Sequence, residues 1–159
     1  MQKSAQPNTI FSVGYEGQNI EGFIAALQQH AIETLVDVRE TPLSRKPGFS
    51  KAAFAQRLAA VGIDYVHIRA LGCPKVIRDA HRGHRDWPRY CQQFNEYLAA
   101  QSHALEKLHA LVQQSNCCLL CFEADSQHCH RSLICTELEQ RYGTTATHIE
   151  PQKTPSLFN

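Results

Sequence analysis

The chain has 159 residues, 43% of them hydrophobic, which is enough for one domain with a real core and short for two. Lys and Arg total 16 against 15 Asp and Glu, a formal charge of +1, so there is no global basic field of the kind that gathers nucleic acid, and any anion recognition must be local. No apolar run approaches the ~20 residues of a membrane span, and the opening MQKSAQPNT lacks the apolar core of a signal peptide. The expectation is a cytoplasmic protein with no membrane partner.

Residues 1–8 are polar and read as a loose terminus. Thr9 to Val13 reads as a first strand, stopped at Gly14-Tyr15-Glu16-Gly17, where two glycines allow a tight turn. Asn19 caps a helix whose Ile20, Phe23, Ile24 and Leu27 recur at helical spacing. Thr34 to Val38 is a second strand of the buried type. It runs into Arg39 and a proline-punctuated loop that holds Ser44, Arg45 and Lys46. Ser50 caps a short helix with Phe54, Leu58 and Val61 inward, closed by Gly62, and Ile63 to Ile68 is a third strand.

The stretch from Cys73 to Asp86 has no apolar period and reads as a loop or a broken helix rich in Arg78, His81, Arg82, His84 and Arg85. Asp86 and Pro88 then open the longest helix, with Tyr90, Phe94, Tyr97, Leu98, Leu105, Leu108 and Val112 along one side. Cys117 to Phe122 is an unbroken apolar segment, the form of a strand covered on both faces. A helix from about Ser126 to Tyr142 follows, with Leu133, Ile134 and Leu138 inward and Gly143 as its stop. Thr144 to Ile149 is the last strand, and residues 151–159 read as a loose tail. Strands alternating with helices predict a single three-layer α/β domain, a mostly parallel sheet of about five strands with helices on both faces. In such a sheet ligands bind at the carboxyl ends of the strands, where Tyr15, Asp37, Arg39, His67 and Glu123 should converge.

The densest chemistry lies in Cys117 to Arg131, CCLLCFEADSQHCHR. Asp125 or Ser126 can accept the first N–H groups of the following helix, placing Cys129, His130 and Arg131 in or near its first turn. A cation at the positive end of a helix costs a few tenths to ~1 kcal/mol unless an anion sits nearby. One reading is therefore an anion site built from Arg39, Arg45, Arg131 and the free N–H groups near Ser126. The other is that Arg39 pairs with Asp37 or Glu40, and Arg131 with Glu123, as internal braces. Asp37 and Glu123 can divide acid and base roles if burial raises one and an arginine keeps the other charged; alternatively one of them fixes a loop.

Cys129, beside His128, His130 and Arg131, has the surroundings that lower a thiol pKa, against the simpler reading of a half-buried packing residue. Cys135 and Arg141 have phosphatase-loop spacing but lie inside the expected helix. Cys118 and Cys121 have zinc-type spacing but face opposite sides of a strand. A metal site from Cys121, Cys129, His128 or His130 and a carboxylate stays open as a lesser alternative. The seven cysteines are odd in number and several sit in apolar runs, so seven free thiols, no disulfide and no tightly bound zinc are expected. The cations of 78–85 are a further candidate, as a lid or a polyanion contact.

Four segments, TIFSVGYEG at 9–17, LVDVRETPLSRKPGFS at 35–50, YVHIRALG at 65–72 and CFEADSQHCHR at 121–131, resemble the small bacterial proteins of the domain-of-unknown-function family numbered 488. The resemblance implies a compact α/β domain and brings no activity with it. It puts Tyr15, Asp37, Arg39, Pro42, Ser44, Arg45, Cys121, Glu123, Cys129, His130 and Arg131 at motif positions. The resulting expectation is an enzyme acting on an anionic small molecule or nucleic-acid fragment that carries phosphate. Asp37, Glu123, Cys129 and His130 would be catalytic, and Tyr15, Arg39, Ser44, Arg45, His67 and Arg131 would bind the ligand, with no cofactor. A non-catalytic module that binds a nucleotide or nucleic acid is the rival, and a structural metal-binding domain is the second alternative.

Overall fold

In the computed structural model, five strands pair in parallel in the order β3-β2-β4-β1-β5. They are β1 (Thr9–Gly14), β2 (Thr34–Asp37), β3 (Asp64–His67), β4 (Cys117–Cys121) and β5 (Thr145–His148). The helices are α1 (Ile20–Gln29), α2 (Lys51–Ala59), α3 (Lys75–His84), α4 (Trp87–Ala99), α5 (Ser102–Gln114) and α6 (His130–Tyr142). The structure describes residues 8–150, so most of the expected loose terminus and all of the tail 151–159 lie outside the described residues. Asn8 is not loose: its amide donates to the Tyr142 carbonyl at 2.7 Å, and its side-chain oxygen accepts from the Thr144 hydroxyl at 2.7 Å.

β4 is the central strand and is buried at every position. Its alternation divides the core: Cys117 and Leu119 pack with one layer of helices, Cys118 and Leu120 with the other. The first layer is α4, α5 and α6, whose Phe94, Leu98, Leu105, Leu108 and Leu138 surround Val36 and Leu119. The second is α1 and α2, whose Phe23, Leu27, Phe54 and Leu58 pack on Val13, Leu35 and Leu120. Each such side chain contributes roughly 1.5–3 kcal/mol by leaving water. Among the described residues no helix is long and apolar enough to cross a membrane.

Four expectations are corrected. The 73–86 stretch contains a regular helix, α3, which buries no residue fully and so carries no apolar stripe to read. The expected longest helix is two, α4 and α5, separated at Ala100 and Gln101. Val61 lies beyond α2 and is 41% exposed instead of inward. Before α6 there is only a 3₁₀ turn, Ser126–His128, capped by the Asp125 carboxylate, which accepts from the Gln127 N–H at 2.9 Å; the α-helix itself begins at His130.

Because all strands run one way, their carboxyl ends share an edge. Asp37 pairs with His67 across β2 and β3, and Glu123 follows β4 by two residues, so the three lie at that edge as expected. The connections after β1 and β2 lead into the α1–α2 layer, whereas the one after β4 leads into α6 on the opposite face. Connections that part to opposite faces leave a crevice outside the strand end between them.

Candidate active site

Arg131 is the largest fully buried side chain of the described residues, 0% exposed. Its Nε donates to the Ser12 hydroxyl at 3.1 Å, one terminal nitrogen to the Cys121 sulfur at 3.0 Å and to the Glu123 carbonyl, and the other to the Ala124 carbonyl at 3.2 Å. These acceptors are a hydroxyl, a sulfur and two carbonyls; among the described residues no carboxylate makes an ion pair with it. Burial accordingly pushes the guanidinium pKa down. The backbone here is as close as it can be: a Cβ on Gly14 would lie 1.7 Å from the Glu123 carbonyl oxygen, so only glycine lets β1 end against that loop. The expected anion contact at Arg131 is thus replaced by internal bracing, and the brace runs to carbonyls and a sulfur, not to the Glu123 carboxylate.

Cys129 is the residue before α6 and is extended, with φ −136° and ψ 143°. That conformation turns its side chain back toward the end of β4, where its sulfur is in disulfide contact with that of Cys121. The expectation of seven free thiols is therefore corrected: among the described residues the free cysteines are Cys73, Cys91, Cys117, Cys118 and Cys135. His130 comes next, in the first turn of α6. Its Nε2 lies 2.7 Å from the Val38 carbonyl, which can only accept, so Nε2 carries the proton and Nδ1 the lone pair. Nδ1 lies 3.7 Å from the Cys129 sulfur. Burial lowers the His130 pKa to about 4, with the charges of Arg131 and Arg78 acting in the same direction, so the ring is neutral near pH 7.

A second buried network lies under the neighbouring strand ends. Asp37, wholly buried, receives the Arg39 guanidinium in a fork, Nε to one oxygen at 2.9 Å and a terminal nitrogen to the other at 2.7 Å. The Arg39 N–H and the Tyr65 hydroxyl also donate to Asp37. Arg39 further donates to the Phe49 carbonyl at 2.7 Å and to the Tyr15 hydroxyl at 3.4 Å. Burial would lower the Arg39 pKa, but the Asp37 carboxylate more than offsets it and the net shift is upward. Asp37 and Arg39 have the contacts of a brace that fixes the Phe49 loop and Tyr15, which stacks on Phe49 with ring centroids 4.6 Å apart. His67 donates from Nε2 to the Arg39 carbonyl at 2.8 Å. Ser44 exchanges two hydrogen bonds with Ser50, each 3.0 Å, so Ser50 secures the loop instead of capping α2. Arg45 is exposed on that loop and does not line the cleft.

The crevice at the end of β4 is a cleft of about 520 Å³. Cys121, Cys129, His130, Glu123, Tyr15 and Arg39 line one side of it, and Arg78, His81, Arg82, Trp87 and Tyr90 also contribute. Glu123 is exposed at the rim, and partial desolvation by its neighbours, followed by the nearby charge of Glu16, raises its pKa. Trp87 stacks on Tyr90 at 5.0 Å, and His81 contacts the Tyr90 ring at 4.9 Å. Arg78 pairs with Glu40 at 2.7 Å and also holds the Cys73 carbonyl at 3.0 Å. The structure therefore gathers Tyr15, Arg39, Glu123, Cys129 and His130 of the expected set, leaves Asp37 and Arg131 beneath them, and keeps Ser44, Arg45 and His67 off the lining. Trp87 was missed, because an aromatic near the start of an amphipathic helix carries no signal that separates a cleft wall from a core.

A wholly parallel α/β domain whose strand-end cleft holds a cysteine pair, an imidazole and a buried arginine is the class that fold and site define. Within that class the chain belongs to the family described as domain of unknown function DUF488, whose model matches residues 19–138. The match takes in Asp37, Arg39, Cys121, Glu123, Cys129, His130 and Arg131, and leaves Tyr15 outside. No curated protein and no solved structure matches the chain.

Proposed function

We propose that the cleft binds a small phosphate-bearing ligand, a nucleotide or the end of a nucleic-acid strand, and acts on it at Cys121, Cys129 and His130. The observation that carries this reading is that Arg78, His81 and Arg82 of α3 line the same cleft as the sulfur–imidazole cluster. Guanidinium donors suit phosphate, Trp87 offers a face for a base, and the volume falls in the ordinary range for small-ligand pockets. Arg39 and Arg131 serve by holding the walls. Glu123, whose pKa is raised by partial desolvation and by Glu16, lines the cleft and is placed to exchange a proton with the ligand.

Trp87 is the only tryptophan of the chain, so intrinsic fluorescence reports the cleft directly. A nucleoside monophosphate should change it saturably, and the matching nucleoside should not. Each charge-assisted bond contributes ~1.5–3 kcal/mol, so Arg78→Gln with Arg82→Gln should weaken binding by roughly 10-fold or more. Equal responses to nucleotide and nucleoside, or none to either, would overturn the reading. Glu123→Gln separates an enzyme, which loses turnover and keeps affinity, from the rival binding module, which is indifferent to the change.

A further inference from the structure

We propose that Cys121, Cys129 and His130 hold one zinc-type divalent ion whose remaining coordination position opens into the cleft. The inference deepens the reading of that cleft as a reaction site by naming its centre. The two sulfurs and a ring nitrogen of His130 all lie within 4.8 Å of one another. A tetrahedral zinc, with Zn–S of about 2.3 Å and Zn–N of about 2.0–2.1 Å, requires a sulfur–nitrogen separation of about 3.6 Å and a sulfur–sulfur separation of about 3.8 Å. Cys129 and His130 already stand at 3.7 Å. The Cα atoms of Cys121 and Cys129 are 7.8 Å apart, wider than the roughly 4.4–6.8 Å that disulfides usually span. Once the Cys121–Cys129 contact is reduced, that spacing lets the two sulfurs part to the separation an ion needs.

Two further features belong to a metal ligand set. His130 gives its Nε2 proton to the Val38 carbonyl, the outer hydrogen bond that fixes the tautomer and aims Nδ1 at the sulfurs. The buried Arg131 donates to the Cys121 sulfur at 3.0 Å with no carboxylate partner among the described residues, which favours a thiolate there. Two thiolates balance the ion, and Arg131 leaves one positive charge over, so an anion suits the open position. Three protein ligands with a fourth place free is the arrangement of a reactive zinc, whereas structural sites are closed by four. Loading starts from the reduced pair: an external dithiol is oxidised to its disulfide and delivers two electrons and two protons to the Cys121–Cys129 bond, and the ion then replaces the two thiol protons, which pass to solvent.

The test is titration of the reduced, chelator-dialysed full chain with Co²⁺ and then Zn²⁺. One equivalent of Co²⁺ should bind, with tetrahedral d–d bands and a thiolate-to-cobalt charge-transfer band that Zn²⁺ displaces. Cys121→Ser and Cys129→Ser should each lose most of the charge-transfer band and bind at least 10-fold more weakly, while Cys91→Ser behaves as wild type. Thermal melting of the metal-free variants checks that they fold; His130→Gln, which keeps a donor for Val38, is the second probe and should also weaken binding. Absence of a thiolate band in the reduced wild type overturns the proposal, as does unchanged affinity in both serine variants. Trp87 titration on metal-free protein distinguishes the two readings: nucleotide binding without metal loading removes the metal centre alone, and metal loading without nucleotide binding removes the ligand reading alone.

Discussion

Replacing Arg131 by Met separates a brace from a ligand contact. The substitution keeps length and apolar volume but removes donors to the Ser12 hydroxyl, the Cys121 sulfur and the Glu123 and Ala124 carbonyls. A buried acceptor left without a donor costs about 1–3 kcal/mol, and the two carbonyls are only part-buried, so their share lies at the low end. Against this, Met relieves the cost of keeping a guanidinium away from water with no carboxylate beside it. The net expectation is a loss of about 2–4 kcal/mol, a large part of the ~5–15 kcal/mol that holds a typical domain. Urea unfolding followed by circular dichroism should show a lower midpoint at unchanged slope. Sulfate and chloride at equal ionic strength should differ by the same amount for variant and wild type. A variant within ~0.5 kcal/mol of wild type, or a sulfate effect that disappears only in the variant, would refute the bracing argument and return Arg131 to an anion contact.

His130 links the site to pH. The unfolded ring takes up its proton near the ordinary 6.5, and the folded ring only at about 4. With the folded pKa depressed, stability is complete above pH 6.5 and falls as the pH drops toward 4, by up to on the order of 3 kcal/mol; His130→Gln should remove that part of the slope, and an unchanged pH profile would contradict the burial of the ring. Gly14→Ala drives a Cβ into the Glu123 carbonyl and must displace the β4 loop, so a loss of at least ~2 kcal/mol is expected in urea unfolding, together with slower metal loading at Cys121. A neutral Gly14→Ala would mean that β1 and that loop do not approach as described.

The sheet was legible because its signals are local. Cys-Cys-Leu-Leu-Cys in β4 has the length and composition of a strand covered on both faces, and glycines at 14, 62 and 143 mark the end of β1 and the approaches to β3 and β5. The break between α4 and α5 was not legible. Leu98 and Leu105 are seven residues apart, so the apolar face stays in phase across the interruption at Gln101 and a continuous helix gives the same pattern. In α3 six of the ten residues are Lys, Arg, Asp or His, and its helical form comes from packing beside α4, with Ile77 set against the core, more than from a stripe of its own. The site was half legible: the spacing Cys121, Glu123, Cys129, His130 marked the right strand end. That Cys129 precedes the helix instead of lying within it depended on the 3₁₀ turn at 126–128, for which Asp125 and Ser126 gave a competing cap. Arg131 was misjudged because a guanidinium is outside by default, and its place depends on Ser12, 119 residues away in sequence.

Ligand protection of the thiols joins the cleft, the cluster and the phosphate-bearing ligand in one observation. Reduced, metal-free protein is alkylated with iodoacetamide at neutral pH, with and without a saturating nucleoside monophosphate, and the rate at each cysteine is followed by peptide mass spectrometry. Cys121 and Cys129, which line the cleft, should react several-fold more slowly with the nucleotide present, whereas Cys91, which is partly exposed and away from the lining, should be unaffected. Rates at Cys121 and Cys129 that do not change, or that fall equally at Cys91, would contradict a ligand seated over the sulfur–imidazole centre.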